Sequence, residues 1–534
     1  MSTKPNYLKG ATILAAAAII TRIIGAVYRI PLARLLGNEG MALFGVSHEI
    51  FVVILNITAT GFPIALSRMI SRSYTLNEHK QIQRTFSVAL TVFFVMGIFG
   101  ALFVAFSPEM LASFMESPLS AQSIFALWPA VLCVSLMGAY RGYAQGLSNM
   151  TPTSVSQVIE SFLRFAIGLA LVWMLLAQDS PLSTASAGAV WGTSLGTVVA
   201  FFFLFFYKKR LDRNMGISPA TSSDIPVAKS QTFKTLLKIS LPITLAASIL
   251  SIINLTSTFL IMSRLQHAAG FSEEGANFLF GAFFNVRTIF NLPATFIVPL
   301  TTSLLPAIVA YLSQKDDKTA LVQAQSGLKI MNILALAAGV GLIVLATPIV
   351  QVLYPTIGDE GNLLMAIMGA AAYFFCLLML LNVILQAYGL EKYTIISILI
   401  GGVVRIALEF VLLGMPHVHI YGAAIGTAVC FLVASIMNFY FIRTKIQSPP
   451  KFWSATTKPL ICSLLMGAVA FVIYTLSIRL LPMVIALGLA IAVAGFVYLV
   501  LIVITKTITY DDMLMLPRGK ALAKLLRMKA PIEG

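Results

Sequence analysis

The sequence predicts an all-α integral membrane protein with fourteen transmembrane helices, arranged as two parallel-repeat six-helix lobes plus two C-terminal helices. Of the 534 residues, 58% are hydrophobic and only 10% are charged, and the mean hydropathy is +0.91. Soluble domains are roughly 25% charged, so the composition excludes an ordinary soluble protein. Apolar runs of about 20 residues, the length that crosses a bilayer, recur along the chain. An internal duplication divides these runs into two lobes.

The spans are placed by the length of each apolar run. They cover residues 11–36, 44–67, 84–106, 121–143, 153–177, 186–207, 235–262, 276–303, 326–350, 363–387, 394–414, 421–443, 459–480 and 483–505. The first run is too long for a cleavable signal peptide and lacks a small-residue cleavage site. The cysteines are scattered through apolar segments and are expected to be free buried thiols; they are Cys133, Cys376, Cys430 and Cys462.

The distribution of charge sets the predicted orientation. The net charge is +16, and most lysines and arginines fall in the two termini and the even-numbered loops, including 208–213 and 518–529. The odd-numbered loops hold only Arg264, and Arg479 lies at the outer end of the span 459–480. The positive-inside rule therefore predicts that both termini lie in the cytoplasm. We expect the basic tail to contact anionic lipid, and we expect no nucleic-acid partner.

The two lobes are predicted from matching segments that recur in the same order. FG and PIALS within 44–67 match FG and PLTTS within 280–303. Gln145 and Arg164 match Gln386 and Arg405, and GAVWGT at 188–193 matches GAAIGT at 422–427. The predicted divisions are an N-lobe (1–207, spans 1–6), a cytoplasmic linker (208–234), a C-lobe (235–443, spans 7–12), and 444–534 with spans 13 and 14 and the tail. An even number of spans gives both repeats the same orientation. Duplicated bundles of this kind alternate the exposure of a site between the halves.

Six of the arginines inside the predicted spans are the candidate functional residues. They are Arg22, Arg29, Arg34, Arg164, Arg287 and Arg405. An arginine at mid-bilayer costs about 2.5–3.5 kcal/mol on insertion scales, so each is expected to have a partner or a function. Glu160 precedes Arg164 by four residues and Glu409 follows Arg405 by four. This spacing places both members of each pair on one helix face, and we interpret the two pairs as structural ion pairs.

The other arginines divide by position. Arg22 and Arg29 are two helical turns apart and share one face of span 1, whereas Arg34 lies near the outer end, where it can snorkel. Glu49 on span 2 lies near the predicted depth of Arg29 and is its expected partner. Arg22 and Arg287 then remain as unmatched positive charges, one in each half. They favour an anionic ligand such as a phosphate, which a guanidinium binds bidentately, although buried glutamines or backbone carbonyls are an alternative partner.

Motifs for enzymatic chemistry are absent from the sequence. It has no GxxxxGK[ST] run for ATP, no HExxH, no metal-spaced Cys/His cluster and no GxSxG. We therefore expect a protein that is not an enzyme and that uses neither a cofactor nor a metal.

The first helix carries a family resemblance. TRIIGAVYRIPLARLLG at 21–37 resembles the opening helix of the MurJ and SpoVB-like flippases of the multidrug/oligosaccharidyl-lipid/polysaccharide exporter superfamily, and GYAQGLSNMTPTSVSQVIE at 142–160 is most similar to the SpoVB/YtgP branch. Thr21, Arg22 and Gly25 match the family pattern S/T-R-x-x-G-x-x-R. Tyr28 occupies the position of its second arginine, and Arg29 follows one residue later. Aligning the family's LLP on residues 304–306 places its eighth-helix arginine at Arg287.

The resemblance implies a flippase for lipid II, the undecaprenyl-pyrophosphate-linked peptidoglycan precursor, working by alternating access in the bacterial plasma membrane. It implies a substrate cavity with Arg22, Arg29, Arg287 and Glu49, and a groove for the prenyl chain at spans 13 and 14. Cell-wall synthesis proteins are expected partners, and a monomer is the expected working unit. Three alternatives remain open: a flippase for another lipid-linked glycan (teichoic acid, capsule or spore cortex), a multidrug/cation antiporter of the same superfamily, and a membrane scaffold without transport activity.

Overall fold

A computed structural model of the chain describes residues 7–508 except 219, 221 and 448. The predicted basic tail lies outside the described residues. Within them the structure is helical and contains no β-strand, which confirms the all-α class. The helices are α1 (Tyr7–Ala59), α2 (Gly61–Thr75), α3 (His79–Phe106), α4 (Pro108–Phe114), α5 (Ala121–Phe125), α6 (Trp128–Gly146), α7 (Thr151–Ala177), α8 (Leu182–Asn214), α9 (Lys229–His267), α10 (Glu273–Phe290), α11 (Leu292–Ser313), α12 (Asp317–Val344), α13 (Ala346–Leu353), α14 (Glu360–Ala387), α15 (Glu391–Leu412), α16 (Tyr421–Lys445), α17 (Phe452–Ser477) and α18 (Met483–Ile504).

Many of these helices are long and apolar enough to cross a membrane. The described part of the chain has 12 such helical stretches, or up to 13 if the bent pair Pro118–Phe125 and Trp128–Gly146 forms one span. One of them, Ala16–Thr75, has 60 residues, about three times the length that one crossing needs. It is interrupted at Gly37, whose φ of 64° lies in the left-handed region that favours glycine. The protein is therefore a multi-pass membrane protein, while the count of fourteen spans stays a prediction.

The described residues form two compact units, one ending at Phe284 and the other beginning at Asn285. The boundary lies inside α10, so the first unit contains α1–α9 and most of α10. In this unit α9 packs against α2 so closely that a Cβ on Gly61 would lie 2.1 Å from Thr244 Oγ1. Helix α9, which the sequence assigns to the second repeat, is thus an integral part of the first unit.

The repeated glycine motifs lie at helix–helix contacts within each unit. In the first unit, a Cβ on Gly192 of α8 would lie 2.3 Å from the Cα of Gly168 on α7. In the second unit, a Cβ on Gly426 of α16 would lie 2.8 Å from Glu409 Cγ on α15. GAVWGT and GAAIGT therefore have the same physical role, because each allows two neighbouring helices to approach closely.

Helices α17 and α18 pack onto α12 in the second unit. The Tyr498 hydroxyl of α18 donates to the Ile333 carbonyl of α12 at 2.6 Å, and the Asn332 amide donates to Thr456 Oγ1 of α17 at 3.0 Å. These bonds satisfy buried polar groups on three helices, so the two helices outside the repeat are firmly attached to their unit. All four cysteines are free and buried, as expected.

The linker between the repeats is docked on the first unit. Asp224 accepts hydrogen bonds from the backbone N–H groups of Lys80 and Gln81 at 3.0 and 2.8 Å, at the start of α3. The Val227 N–H donates to Gln81 Oε1 at 2.7 Å, and Arg84 donates to the Val227 carbonyl at 3.2 Å. The linker thus supplies acceptors to N–H groups that a helix start leaves without intrahelical partners.

These bonds also set the ionisation of Asp224. Its desolvation opposes the charged form, but hydrogen bonds from the Ser222 hydroxyl and from the Lys80 and Gln81 amides outweigh that effect. The pKa of Asp224 is consequently held below its usual value. Because the pKa is lower in the folded state than in the unfolded state, the carboxylate stabilises the docked linker at pH values above its unfolded pKa. This stabilisation is lost as the pH falls through the folded pKa.

Candidate functional site

The first unit contains a cavity of about 350 Å³ lined by residues of α1, α6 and α7. Among the described residues, three arginines and a single carboxylate contribute to its wall, which gives this part of the lining a formal charge of +2. The lining residues are Ala18, Thr21, Arg22, Gly25, Tyr28, Leu55, Arg141, Gln157, Glu160, Ser161 and Arg164. Such a surplus of guanidinium groups favours an anion over a cation.

Arg22 reaches this cavity from α1 with an exposed side chain. The hydroxyl of Thr21 donates to the Ala17 carbonyl at 2.7 Å, so Thr21 is bonded to its own helix. A Cβ on Gly25 would have no atom within 4 Å, which shows that the helix face beside Arg22 is open. Among the residues that the structure describes, Arg22 has neither a hydrogen bond nor an ion pair. Its guanidinium is therefore accessible to a ligand.

Glu160 is shared by two arginines on the cavity wall. Its Oε1 accepts from Nη2 of Arg164 at 3.2 Å, and its Oε2 accepts from Nη2 of Arg141 at 3.0 Å. Arg141 also donates from Nε to Ser156 Oγ at 3.0 Å. The sequence spacing indicated the Glu160–Arg164 contact but not the second arginine. The cluster carries a charge of +1 rather than the neutral pair that the spacing suggests.

Two polar atoms of the cavity wall are buried and lack a hydrogen bond within the described part of the chain. They are Nε of Arg164 and Oε1 of Gln157. A buried polar group without a partner costs free energy. The wall therefore offers one donor and one acceptor that are not used within the protein.

The corresponding arginine of the second repeat has different surroundings. Arg405 donates from Nε to Glu409 Oε1 at 2.7 Å, and the two side chains are only 2% and 0% exposed. The repeat offset that aligns Arg164 with Arg405 aligns Arg141 with Asn382, which accepts a hydrogen bond from Asn438 at 2.6 Å. The second repeat thus has a fully buried ion pair and a neutral amide pair where the first repeat has a charged, partly open cluster.

Arg29 lies away from this cavity. Its Nη2 is 3.1 Å from Nε2 of His48, and its guanidinium stacks over the Phe284 ring at 4.8 Å from the centroid. Glu49, its predicted partner, is buried with 3% exposure. The assignment of Arg29 and Glu49 to substrate binding stays a prediction.

Tyr28, at the position of the family's second arginine, is a packing residue. It is 3% exposed, its hydroxyl donates to the Ala189 carbonyl at 3.4 Å, and a Cβ on Gly168 would lie 2.6 Å from that hydroxyl oxygen. Only glycine at 168 leaves room for the tyrosine. Tyr28 therefore fixes α1 against α7 and α8.

The remaining predicted positions are spread over the two units. Arg287 is half-buried on α10, and its carbonyl accepts from the Asn291 amide at 2.8 Å. Arg34 is exposed. The described residues include no cluster of histidine, cysteine or acidic side chains suited to a metal ion.

Sequence reasoning missed Arg141. It lies near the end of the span predicted at 121–143 and is not among the candidate arginines of the sequence analysis. The structure places it inside α6 with a side chain only 14% exposed. Its position four residues before Gln145, one of the repeat markers, was the signal that placed it within the helix.

Comparisons with known proteins agree with this architecture. Residues 7–312 match the family described as "Polysaccharide biosynthesis protein". Stage V sporulation protein B of Bacillus subtilis (strain 168) is 27% identical over 448 residues, which are 82% of this chain and 83% of that protein. Lipid II flippase MurJ of the same organism is 25% identical over 529 residues, covering 93% of this chain and 95% of that protein.

Solved structures show the same fold. A structure of lipid II flippase MurJ in an inward closed conformation superposes with a TM-score of 0.70 at 14% identity, covering 94% of this chain and 100% of that chain. The resemblance read from the first helix is thereby confirmed. Since the family match spans more than half of the 534 residues, the chain belongs to the polysaccharide biosynthesis protein family.

Proposed function

We propose that this protein is a lipid II flippase, which moves undecaprenyl-pyrophosphate-linked peptidoglycan precursor from the inner to the outer leaflet by alternating access. The observation that carries the proposal is the arginine-lined cavity of the first unit, with a formal charge of +2. A pyrophosphate linkage is a multivalent anion, and the planar guanidinium binds phosphate oxygens bidentately. A charge of this sign supports an anionic headgroup and disfavours a cationic drug.

The relatives support the same class of substrate. The B. subtilis protein named lipid II flippase MurJ aligns with nearly the whole chain. Stage V sporulation protein B aligns at a similar identity, and this observation favours a second candidate, a flippase for a lipid-linked glycan used in sporulation. Both candidates share an anionic lipid-linked headgroup.

An apolar cavity in the second unit suits part of a prenyl chain. Its volume is about 370 Å³, and α12, α14, α16 and α17 line it. The lining residues are Leu336, Tyr373, Phe374, Leu377, Leu381, Leu432, Ser435, Ile436, Phe439, Phe452, Trp453, Thr456 and Leu460. The lining is almost entirely hydrocarbon and aromatic, as the binding of an isoprenoid requires.

The proposed roles of individual residues are those assigned from their charge and from the family resemblance. Arg22, Arg29, Arg287 and Glu49 are assigned to the substrate, Arg164 and Arg405 to ion pairs, and both termini to the cytoplasm. The protein is expected to act as a monomer in the plasma membrane, alongside cell-wall synthesis proteins. Contact with the pyrophosphate is proposed first for Arg22, because it is exposed in the cavity and open to a ligand.

A reconstituted flipping assay tests this function. Purified protein in vesicles with labelled lipid II in the inner leaflet should expose the headgroup to an externally added cleaving enzyme, and the Arg22→Ala variant should not. A teichoic-acid or capsule precursor in parallel vesicles tests the other glycans. Export of a cationic dye with no movement of any lipid-linked headgroup would instead support the antiporter.

A further inference from the structure

The carboxylate of the arginine cluster has different positions in the two repeats. In the second repeat, Glu409 follows Arg405 by four residues and is sealed inside the protein, with 0% exposure. In the first repeat, Glu160 precedes Arg164 by four residues and lies on the wall of the cavity. The position that would match Glu409 is Gly168, where the Tyr28 hydroxyl leaves no room for a side chain. The first repeat thus has the corresponding arginine, Arg164, but the carboxylate that pairs with it lies on the cavity wall.

The second arginine is also specific to the first repeat. Arg141 contributes a guanidinium at 3.0 Å from Glu160, whereas the aligned Asn382 contributes a neutral amide. A purely structural pair would need one arginine for one carboxylate, as in the second repeat. Two arginines around one carboxylate bind an anion strongly only after the carboxylate has been displaced from them.

We propose that Glu160 is an internal counter-anion, which holds Arg141 and Arg164 in the empty cavity and gives them up to phosphate oxygens of the ligand. The inference rests on the proposed function for its substrate class, a phosphate or pyrophosphate group. Arg22 makes the first contact because it is already open, and the two other arginines follow as Glu160 is displaced. Since the ligand must replace existing ion pairs, its net affinity is lower than three free arginines would give, and Glu160 recovers its partners when the ligand leaves.

This arrangement has a functional consequence for turnover. A cavity with three free guanidinium groups would retain a multivalent phosphate, because each charge-assisted hydrogen bond slows dissociation. An internal carboxylate returns the arginines to a satisfied state and so favours release. Removing it should tighten binding and slow transport at the same time, which a scaffold residue would not do.

The test measures equilibrium binding and dissociation on the purified full-length protein in lipid nanodiscs. Two probes are used: inorganic pyrophosphate in solution and undecaprenyl pyrophosphate in the nanodisc lipid. Glu160→Gln should bind both probes at least about tenfold more tightly, the effect of one charge-assisted hydrogen bond. Arg141→Gln should weaken binding. The double variant Arg141→Gln/Glu160→Gln should return close to the wild-type affinity.

Matched variants separate this effect from general charge and folding effects. Arg34→Gln removes an exposed arginine outside the cavity lining and should leave binding unchanged. Glu160→Asp keeps the charge but shortens the side chain, so that the contacts of 3.0 and 3.2 Å with the two arginines are weakened. This variant should also bind the probes more tightly. It replaces Glu160→Gln in the test if Glu160→Gln does not fold. A folded Glu160→Gln protein with wild-type or weaker affinity for both probes overturns the proposal.

The outcomes also distinguish this inference from the proposed function. Flipping of lipid II by the wild type, together with unchanged binding in Glu160→Gln, overturns the counter-anion alone. Tighter pyrophosphate binding in Glu160→Gln, together with flipping of a different lipid-linked headgroup, supports the counter-anion and overturns lipid II. Tighter binding of inorganic pyrophosphate only, without the lipid, assigns the site to a soluble anion and overturns the lipid substrate. A wild type and a Glu160→Gln variant that bind neither probe overturn both proposals.

Discussion

Replacing Glu409 with glutamine should destabilise the protein far more than the same replacement at Glu160. Arg405 and Glu409 are 2% and 0% exposed and lie 2.7 Å apart. Removing one partner of a buried pair leaves an uncompensated charge and costs about 3–5 kcal/mol. Arg164 and Arg141 are 26% and 14% exposed beside a cavity, where water can solvate them. The loss at Glu160 should be smaller than the loss at Glu409, because the two arginines that it leaves behind are partly exposed and can be solvated.

The measurement is the thermal unfolding temperature of each purified variant in the same detergent, together with its abundance in the membrane. A control replaces both partners of the buried pair, as Arg405→Leu/Glu409→Leu. Apolar replacement of a whole buried pair is often neutral, so this variant should be more stable than Glu409→Gln. The reasoning is refuted if Glu409→Gln unfolds at the wild-type temperature, or if Glu160→Gln is the less stable of the two single variants.

Four further predictions concern the cavity, the linker and the orientation. The Arg22→Ala protein, present at normal abundance, should fail to complement a flippase-depleted strain, while Arg34→Ala should reduce complementation only mildly. Full complementation by Arg22→Ala would show that the cavity is not part of the mechanism. Asp224→Asn should speed hydrogen exchange at the Lys80 amide about fivefold, the scale of a lost helix-capping bond of about 1 kcal/mol, and unchanged exchange would show that the linker is not held there. In the wild type, the pKa of Asp224 lies below its ordinary value of 3.8, so the Lys80 amide should stay protected against hydrogen exchange from pH 7 to pH 5 and lose protection only below that ordinary pKa. Loss of protection already at pH 6 would contradict a lowered pKa. A single cysteine at position 224 in a cysteine-free background should resist labelling by an impermeant reagent outside intact cells, and labelling there would reverse the predicted topology.

Sequence reasoning predicted the features that depend on local spacing. Apolar run length predicted the membrane helices, and four-residue spacing predicted the contacts Glu160–Arg164 and Arg405–Glu409, at 3.2 and 2.7 Å. Spacing alone makes these two pairs look equivalent. Their difference in burial depends on which helices pack against each pair, and that packing is not encoded in the local pattern.

The contacts that sequence reasoning missed join residues distant along the chain. Arg141 reaches Glu160 across 19 positions and two helices, and the linker reaches the start of α3 across about 140 positions. Arg141 lies near the end of the predicted span 121–143, and nothing in the local pattern relates it to a carboxylate on the next helix. The break at Gly37, where φ is 64°, directly follows the predicted end of span 1, residues 11–36.

The packing of α9 within the first unit has a consequence for biosynthesis. A ribosome completes α1–α8 and the linker before it makes α9, yet the groove at Gly61 is filled by α9 residues such as Thr244. A nascent chain that stops after the first six predicted spans would therefore expose this groove to lipid or to the insertion machinery. The first half is expected to mature only after the first helix of the second half has entered the membrane. A premature stop before Lys229 should then yield a protein that is degraded rather than a stable half-transporter.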